Sequence, residues 1–411
     1  MRVIHLTTEF PWPATSGGPV RTLSQLRIVA SLPEVDSVTL LSVAEKPVPE
    51  ADCRALEAAI PKVRVVPPIF HPIHLFEFKR YVPRVVFLRA LRGVPYLAGK
   101  WDSHDLRRAL RRELLDSPID VVYIDHLGMA RYLPDVKSER PHARTVLDQH
   151  NVESDFFKQF AETKKGPKKI IAKMEYAAAR SFEKKAMQSV DAVVAISKED
   201  GDIFGDLAGV RAHTVPVVMT FDRKPRPHPG KNHFCYVGSL RWHPNVAGLD
   251  WFVKEVWPQI RVRVPDATFE IAGVGLKTDA SGKPIVPDTW KAPGVTTVGF
   301  LEDLEPLYAR SLGMLAPILG GSGVRMKLLE GFRAGMPVVT TPDGAFGLPL
   351  EDGKEALIAN DPAGFADRVE RLVRDEGLRN RVREEGYQYL ERRHSLAVAQ
   401  NIMRGVLGIL P

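Results

Sequence analysis

Short apolar runs rich in Val and Ile recur along the chain, each followed by a longer amphipathic stretch. In the first half they read "RVIHLTT", "SVTLLSV", "KVRVVPP", "DVVYIDH", "RTVLDQH" and "DAVVAIS". Continuous runs of this kind suit parallel strands covered on both faces, and their alternation with helical patterns implies βαβ units. Between Arg211 and Lys231 the pattern dissolves, and "MTFDRKPRPHPGKN", rich in Pro and charge, reads as a linker. A second alternation follows, with "HFCYVGSL", "ATFEIAGVG", "GVTTVGFL" and "GMLAPI" as strands and "VAGLDWFVKEVWPQI" and "LEPLYARS" as helices. The 411 residues exceed one ordinary core. The expected architecture is therefore α/β, with two doubly wound domains over 1–220 and 221–392. Residues 393–411 supply a last helix that crosses back to the first domain. Ligands of such sheets bind at the carboxyl ends of the strands, which places the expected site in a cleft between the domains.

Other classes fall away. The two cysteines, Cys53 and Cys235, are far apart, which argues against a disulfide framework and fits a reducing, cytoplasmic setting. No apolar run reaches the roughly 18 residues that span a bilayer, and the N-terminus shows no signal-peptide pattern. The formal charge of +7 points to an acidic partner.

The segment "PILGGSGVRMKLLEGFRAGMPVVTT", Pro317 to Thr341, places Arg325 and Lys327 where a glycine-rich loop becomes a helix. Cations are disfavoured at that end, because the helix dipole is positive there. A bound anion, held by free N–H groups and both cations, would resolve the conflict. The alternative is an exposed helix start whose cations are solvated. Gly335 and Pro337 stop the helix.

Commoner motifs do not fit. "IAGVGLKT" has Thr278 where a dinucleotide fingerprint needs glycine, and Leu276 where a Walker loop needs one. Asp200 and Asp202 of "SKEDGD" read as a helix start, with Ser197 and Asp200 at capping-box spacing. "HPIH" at His71 to His74 is too isolated for a metal site.

The strand-end glycines, "GGSGVRMKLLEGFRAGMPVVTT" and "AISKED" together resemble retaining glycosyltransferases of family 4, which have the GT-B fold, over almost the whole chain. The resemblance implies that the second domain binds a nucleotide sugar such as a UDP- or GDP-sugar. It implies that Glu330 holds the ribose hydroxyls and that Gly17 and Gly18 approach the donor phosphate. Many members carry a further glutamate eight residues before the ribose glutamate; here Ser322 stands instead, as in a subgroup with a Gly-Ser-Gly loop followed by Arg-x-Lys. The loop N–H groups of Ser322, Gly323 and Val324 then serve the donor. Many members also put an arginine after the first strand of the second domain and a lysine shortly after. Here "VGSLRWHPN" places Gly238 and Ser239 at the turn, with the lysine position near Pro244. Arg325 and Lys327 look like the replacement cations, with Arg241 a weaker candidate. The helix alternative for Glu330 is a surface pair with Lys327 at i,i+3.

On the acceptor side, His126 and His150 follow strands of the first domain, and the family often places a histidine near the donor sugar. Tyr123 and Asp125 align with that position as naturally as His126 does. The resemblance implies transfer of a sugar to a hydroxyl with retention, in polysaccharide, lipid-linked glycan or glycoconjugate synthesis. No cofactor and no metal are expected, since cations, amides and the helix dipole would stabilise the leaving diphosphate. Domain closure over the donor is expected as well. The alternative enzyme is a GT-B nucleotide-sugar epimerase. Nucleic-acid binding finds no module and no interleaved aromatics. Two basic segments, "KRYVPRVVFLRALRGVPYLAGK" with "RRALRREL" and "KKGPKKIIAKMEYAAARSFEKK", suit an anionic membrane surface at the inner face.

Overall fold

The computed structural model describes residues 1–14, 17–71, 94–162, 165–223, 229–279, 281–320 and 324–409. The chain divides into two compact units: Met1–Val218 with Leu396–Pro411, and Met219–Ser395.

The first unit is built on a parallel sheet. Its strands are β1 (Arg2–Thr7), β2 (Ser37–Ala44), β3 (Val63–Val65), β4 (Ile69–Phe70), β5 (Val121–Asp125), β6 (Arg144–Gln149), β7 (Ala192–Ala195) and β8 (Ala212–Thr214). Their order is β3-β2-β1-β5-β6-β7-β8, with β4 also on β2. All five residues of β5 are buried, as a strand covered on both faces requires. Apolar clusters lie on both sides of the sheet. The order reverses between β1 and β5, so the ligand crevice of this unit belongs at their carboxyl ends. The last helix, Leu396–Val406, belongs here: Ala399, Met403 and Val406 share a core with Leu26 and Val29 of the Gly17–Ser31 helix. Arg404 pairs with Glu34 at 2.9 Å.

The second unit carries β9 (His233–Val237), β10 (Thr268–Ala272), β11 (Val295–Gly299), β12 (Gly313–Ala316), β13 (Val338–Thr340) and β14 (Leu357–Ile358), all parallel. The order β11-β10-β9-β12-β13-β14 reverses between β9 and β12.

Two local expectations are corrected. The stretch from Arg211, where the alternation dissolves, still holds β8, which pairs with β7; only three residues long and interrupted by His213, it shows no apolar run. The helix read over Val246–Ile260 starts earlier, at His243, and passes through a π-turn at Phe252–Val256 before the Trp257–Arg263 helix. The Ser197 hydroxyl does cap its helix, accepting from the Asp200 N–H at 3.0 Å. Cys53 and Cys235 are free thiols. His71 meets the Lys100 carbonyl through Nε2 at 2.7 Å; His74 and the basic stretch 79–93 lie outside the described residues.

Candidate active site

Each unit gathers polar side chains at its own switch point. In the second unit, β9 ends at Val237 and the chain turns through Gly238 and Ser239 into the His243–Trp251 helix. A Cβ on Gly238 would lie 2.8 Å from the Tyr236 hydroxyl and 3.2 Å from Lys327 Nζ, so only glycine permits this approach. Gly273, at the end of β10 with φ 151°, presses against the Gly238 carbonyl, leaving no room for a side chain there either.

Lys327 is the second residue of the Met326–Arg333 helix. Its ammonium donates to the Tyr236 hydroxyl at 2.9 Å and to Asn245 Oδ1 at 2.5 Å, and lies 4.7 Å from the Tyr236 ring centre. Asn245 is fixed in turn by donating to the Ser239 carbonyl at 2.8 Å. Among the described residues, no carboxylate lies within ion-pair distance of this ammonium. Burial, and then the neighbouring Arg325, push its pKa down to about 7.

Arg325 stands immediately before the helix and is 3% exposed. It donates to the Asp343 carbonyl at 3.2 Å and the Gly320 carbonyl at 3.0 Å, and its guanidinium lies 5.4 Å from the Trp242 ring centre. The solvated reading of these two cations is therefore corrected: both are held by protein acceptors beside the positive end of a helix. That helix has no acidic residue in its first turn to offset them. Val324 is half-buried beside Arg325, and Ser322 and Gly323 lie outside the described residues. The preceding segment is anchored by the Thr341 hydroxyl on the Ile318 carbonyl and by the Gly320 N–H on Asp343 Oδ2 at 2.7 Å. Arg241 is exposed and packs its stem where Gly275 has no side chain.

Glu330 does not pair with Lys327. Its carboxylate takes the Arg333 side chain at 2.7 Å, one turn on, and stays 38% exposed. The two positions are both three residues from Glu330, but the Lys327 side chain runs back toward Tyr236 and Asn245.

In the first unit, Asp125 at the end of β5 is fully buried. Its Oδ2 accepts from the Thr7 hydroxyl at 2.9 Å and the Thr22 hydroxyl at 2.6 Å, and its Oδ1 lies 2.6 Å from His150 Nε2. Burial opposes the charged forms of both partners, but their mutual attraction wins. Asp125 is held well below the usual carboxylate range and His150 is raised. His126 sits at φ 75°, ψ 140°, with its ring 3.7 Å from that of His150. Burial and then the His150 charge push His126 down to about 3, so it stays neutral.

Tyr123 lies one step deeper. Its hydroxyl donates to Asp148 at 2.9 Å, which also receives Arg21 at 3.0 Å. It is part of the buried scaffold, whereas Asp125 joins the histidines. Gly17 and Gly18 open the Gly17–Ser31 helix; Gly17 has free space beside it, and Gly18 abuts the Glu9 carboxyl. Burial and then Asp125 push Glu9 up to about 7.

Asp125, His126 and His150 offer ligand atoms all within 4.8 Å of one another, the spacing of a cation site. The direct 2.6 Å contact and the closely apposed rings, tilted by 39°, instead describe an aspartate–histidine pair backed by a second, neutral imidazole. Sequence reasoning missed Tyr236, Asn245 and Glu9. Asn245 follows Pro244, where a lysine was looked for, and Glu9 follows the first strand in "TTEF".

The family model described as "Glycosyl transferases group 1" matches residues 231–375. Over 379 residues, 90% of each chain, the protein is 26% identical to an "uncharacterized 44.6 kDa protein in cps region" of Klebsiella pneumoniae. A stretch of 91 residues, 22% of this chain and 24% of the relative, is 36% identical to the phosphatidyl-myo-inositol mannosyltransferase of Mycobacterium leprae (strain TN). Among solved structures, Anabaena HepE in complex with UDP is similar over 100% of both chains, with a TM-score of 0.64 at 14% identity. The two doubly wound units are those of the GT-B fold, and the match to the group 1 glycosyltransferase model lies within the second.

Proposed function

We propose that the protein transfers a sugar from a nucleoside diphosphate donor to a hydroxyl acceptor, with retention at the anomeric carbon. One observation carries the reading. Among the described residues, the Lys327 ammonium is held only by neutral partners at a helix N-terminus, beside Arg325, at the carboxyl ends of β9 and β12. Such a site is short of one anion, and a diphosphate supplies it. HepE has been solved with UDP-glucose, and the mycobacterial relative is named a mannosyltransferase, which supports a nucleotide-sugar donor.

In this reading Glu330, still exposed beside Arg333, takes the ribose hydroxyls. Gly238 and Ser239 with the loop through Ser322, Gly323 and Val324 line the donor. As the bond from the anomeric carbon to the phosphate oxygen breaks, charge grows on the diphosphate, where Lys327, Arg325 and the helix dipole stabilise it. The acceptor oxygen bonds to the carbon from the same face, and its proton passes to the departing phosphate. Gly17 and Gly18 approach the donor phosphate, and Asp125, His150 and His126 fix the acceptor side. The acceptor is a glycan hydroxyl, lipid-linked, in polysaccharide or glycoconjugate synthesis. No divalent metal takes part.

The test is a screen of common nucleotide sugars with glycan acceptors, read by nucleoside diphosphate release and by the configuration of the new bond. Product with inverted configuration overturns retention. The second reading, nucleotide-sugar epimerisation, draws on Glu9, a carboxyl near neutrality beside Asp125. An isomerised nucleotide sugar formed without acceptor decides for it.

A further inference from the structure

The longest helix among the described residues of the first unit, Pro167–Gln188, separates its charges by depth. Its six cations, Lys168, Lys169, Lys173, Arg180, Lys184 and Lys185, are all exposed. Its two carboxylates, Glu175 and Glu183, are buried at 7% and 0% exposure. Backbone amides use both of them: Glu175 accepts from the Tyr96 N–H, and Glu183 accepts from Glu153 at 3.0 Å and Ser154 at 3.4 Å. The outward face is thus positive without compensation, and among the described residues none of the six cations makes an ion pair.

The first half of the same face is also apolar. Ile170, Ile171 and Met174 are 62%, 63% and 54% exposed, whereas Ala172 and Ala179 on the opposite side are buried. At 100° per residue, Ile170, Met174 and Ala177 form one outward stripe. Lys169, Lys173, Arg180 and Lys184 run beside it. The second basic helix, His104–Asp116, is different: Arg107 and Arg111 pair with Asp135, Arg108 with Asp105 and Arg112 with Asp116.

We infer that the outward face of the Pro167–Gln188 helix docks the protein on an anionic lipid bilayer, its isoleucines and methionine entering the headgroup boundary and its cations meeting lipid phosphates. An aliphatic stripe between cations is the pattern of an interfacial helix. A nucleic acid would call for stacking aromatics, and the exposed stripe has none. A second copy would set like charge against like. The inference stands apart from sugar transfer, since it needs neither donor nor acceptor.

The experiment is flotation of the full chain with phosphatidylcholine vesicles, with and without phosphatidylglycerol. Binding is expected only with the anionic lipid. It should fall between about 0.1 M and about 1 M salt, as the screening length shrinks from roughly 10 Å to roughly 3 Å. Lys169→Gln/Lys173→Gln/Lys184→Gln should weaken binding roughly a hundredfold, about fivefold per cation. Ile170→Ser/Met174→Ser should weaken it with the salt dependence kept. Arg108→Gln/Arg112→Gln should bind like the wild type. All three variants alter exposed residues, and melting curves will confirm folding. Absence of binding at low salt overturns the inference, as does equal binding by the lysine variant. A concentration-dependent dimer abolished by Ile170→Ser/Met174→Ser assigns the face to self-association instead. Equal competition by RNA assigns it to nucleic acid.

Discussion

Lys327 Nζ lies 2.5 Å from Asn245 Oδ1, which ties the helix that follows β12 to the helix that follows its neighbour β9. This contact makes the lysine a fixed group, poised without a counter-charge among the described residues. Lys327→Ala is expected to lower kcat by at least about tenfold, roughly 1.4 kcal/mol of barrier. Without nucleotide it should melt no lower than the wild type, because a buried cation lacking an anionic partner is removed. Arg325→Ala should also slow turnover. It should melt lower, however, since the Gly320 and Asp343 carbonyls lose their donor, a loss on the order of 1–3 kcal/mol. Equal kcat in both variants and the wild type would refute the diphosphate role.

Proton linkage follows from the same lysine. Its folded pKa, about 7, lies below the ordinary lysine value of 10.5. Between those limits the unfolded chain holds a proton that the folded chain lacks, so this group's contribution to stability rises with pH. A bound diphosphate favours the charged form, so nucleotide binding takes up a proton and weakens as pH rises above about 7. Calorimetry at pH 8 in buffers of different ionisation enthalpy should detect the uptake, and Lys327→Met should abolish it.

His126 holds a positive φ that only glycine adopts readily, a strain on the order of 1–3 kcal/mol. His126→Ala keeps the strain and loses the ring; His126→Gly loses both. The glycine variant should therefore melt above the alanine variant, and both should lose kcat if the ring lines the reaction. A melting order of alanine above glycine would show that the backbone is relaxed.

Glu330→Gln should mainly weaken nucleotide binding, read as a smaller nucleotide-induced melting shift, with Lys327 unaffected because the two do not touch. Activity should survive EDTA. Loss on chelation, restored by manganese or magnesium, would reassign Asp125, His126 and His150 to a metal.

Most strands of both sheets were legible as apolar runs because parallel strands are covered on both faces; β4 and β8 were not, since "IF" is too short and "AHT" carries no such run. The conflict between Arg325, Lys327 and the helix dipole was visible in one local segment. Its resolution was not. Tyr236 and Asn245 reach Lys327 from 91 and 82 residues away, and no local pattern records such a meeting. The Glu330 pairing went to Arg333 rather than Lys327 for the same reason: two partners at equal spacing are separated only by what lies beyond the helix.

The second unit is one unbroken length of chain. Its two ends are tied, the N–H of its first residue, Met219, to the carbonyl of its penultimate one, His394, at 2.9 Å. The first unit is interrupted, and its core at Leu26 and Val29 waits for Ala399, Met403 and Val406. During synthesis, then, the unit that starts first finishes last. As translation proceeds, the second unit can close on the ribosome, while the first carries an uncovered apolar face until the Leu396–Val406 helix emerges. A stalled or truncated message would release a chain with a sound second unit and an adhesive first one, a substrate for chaperones rather than an enzyme with half its activity.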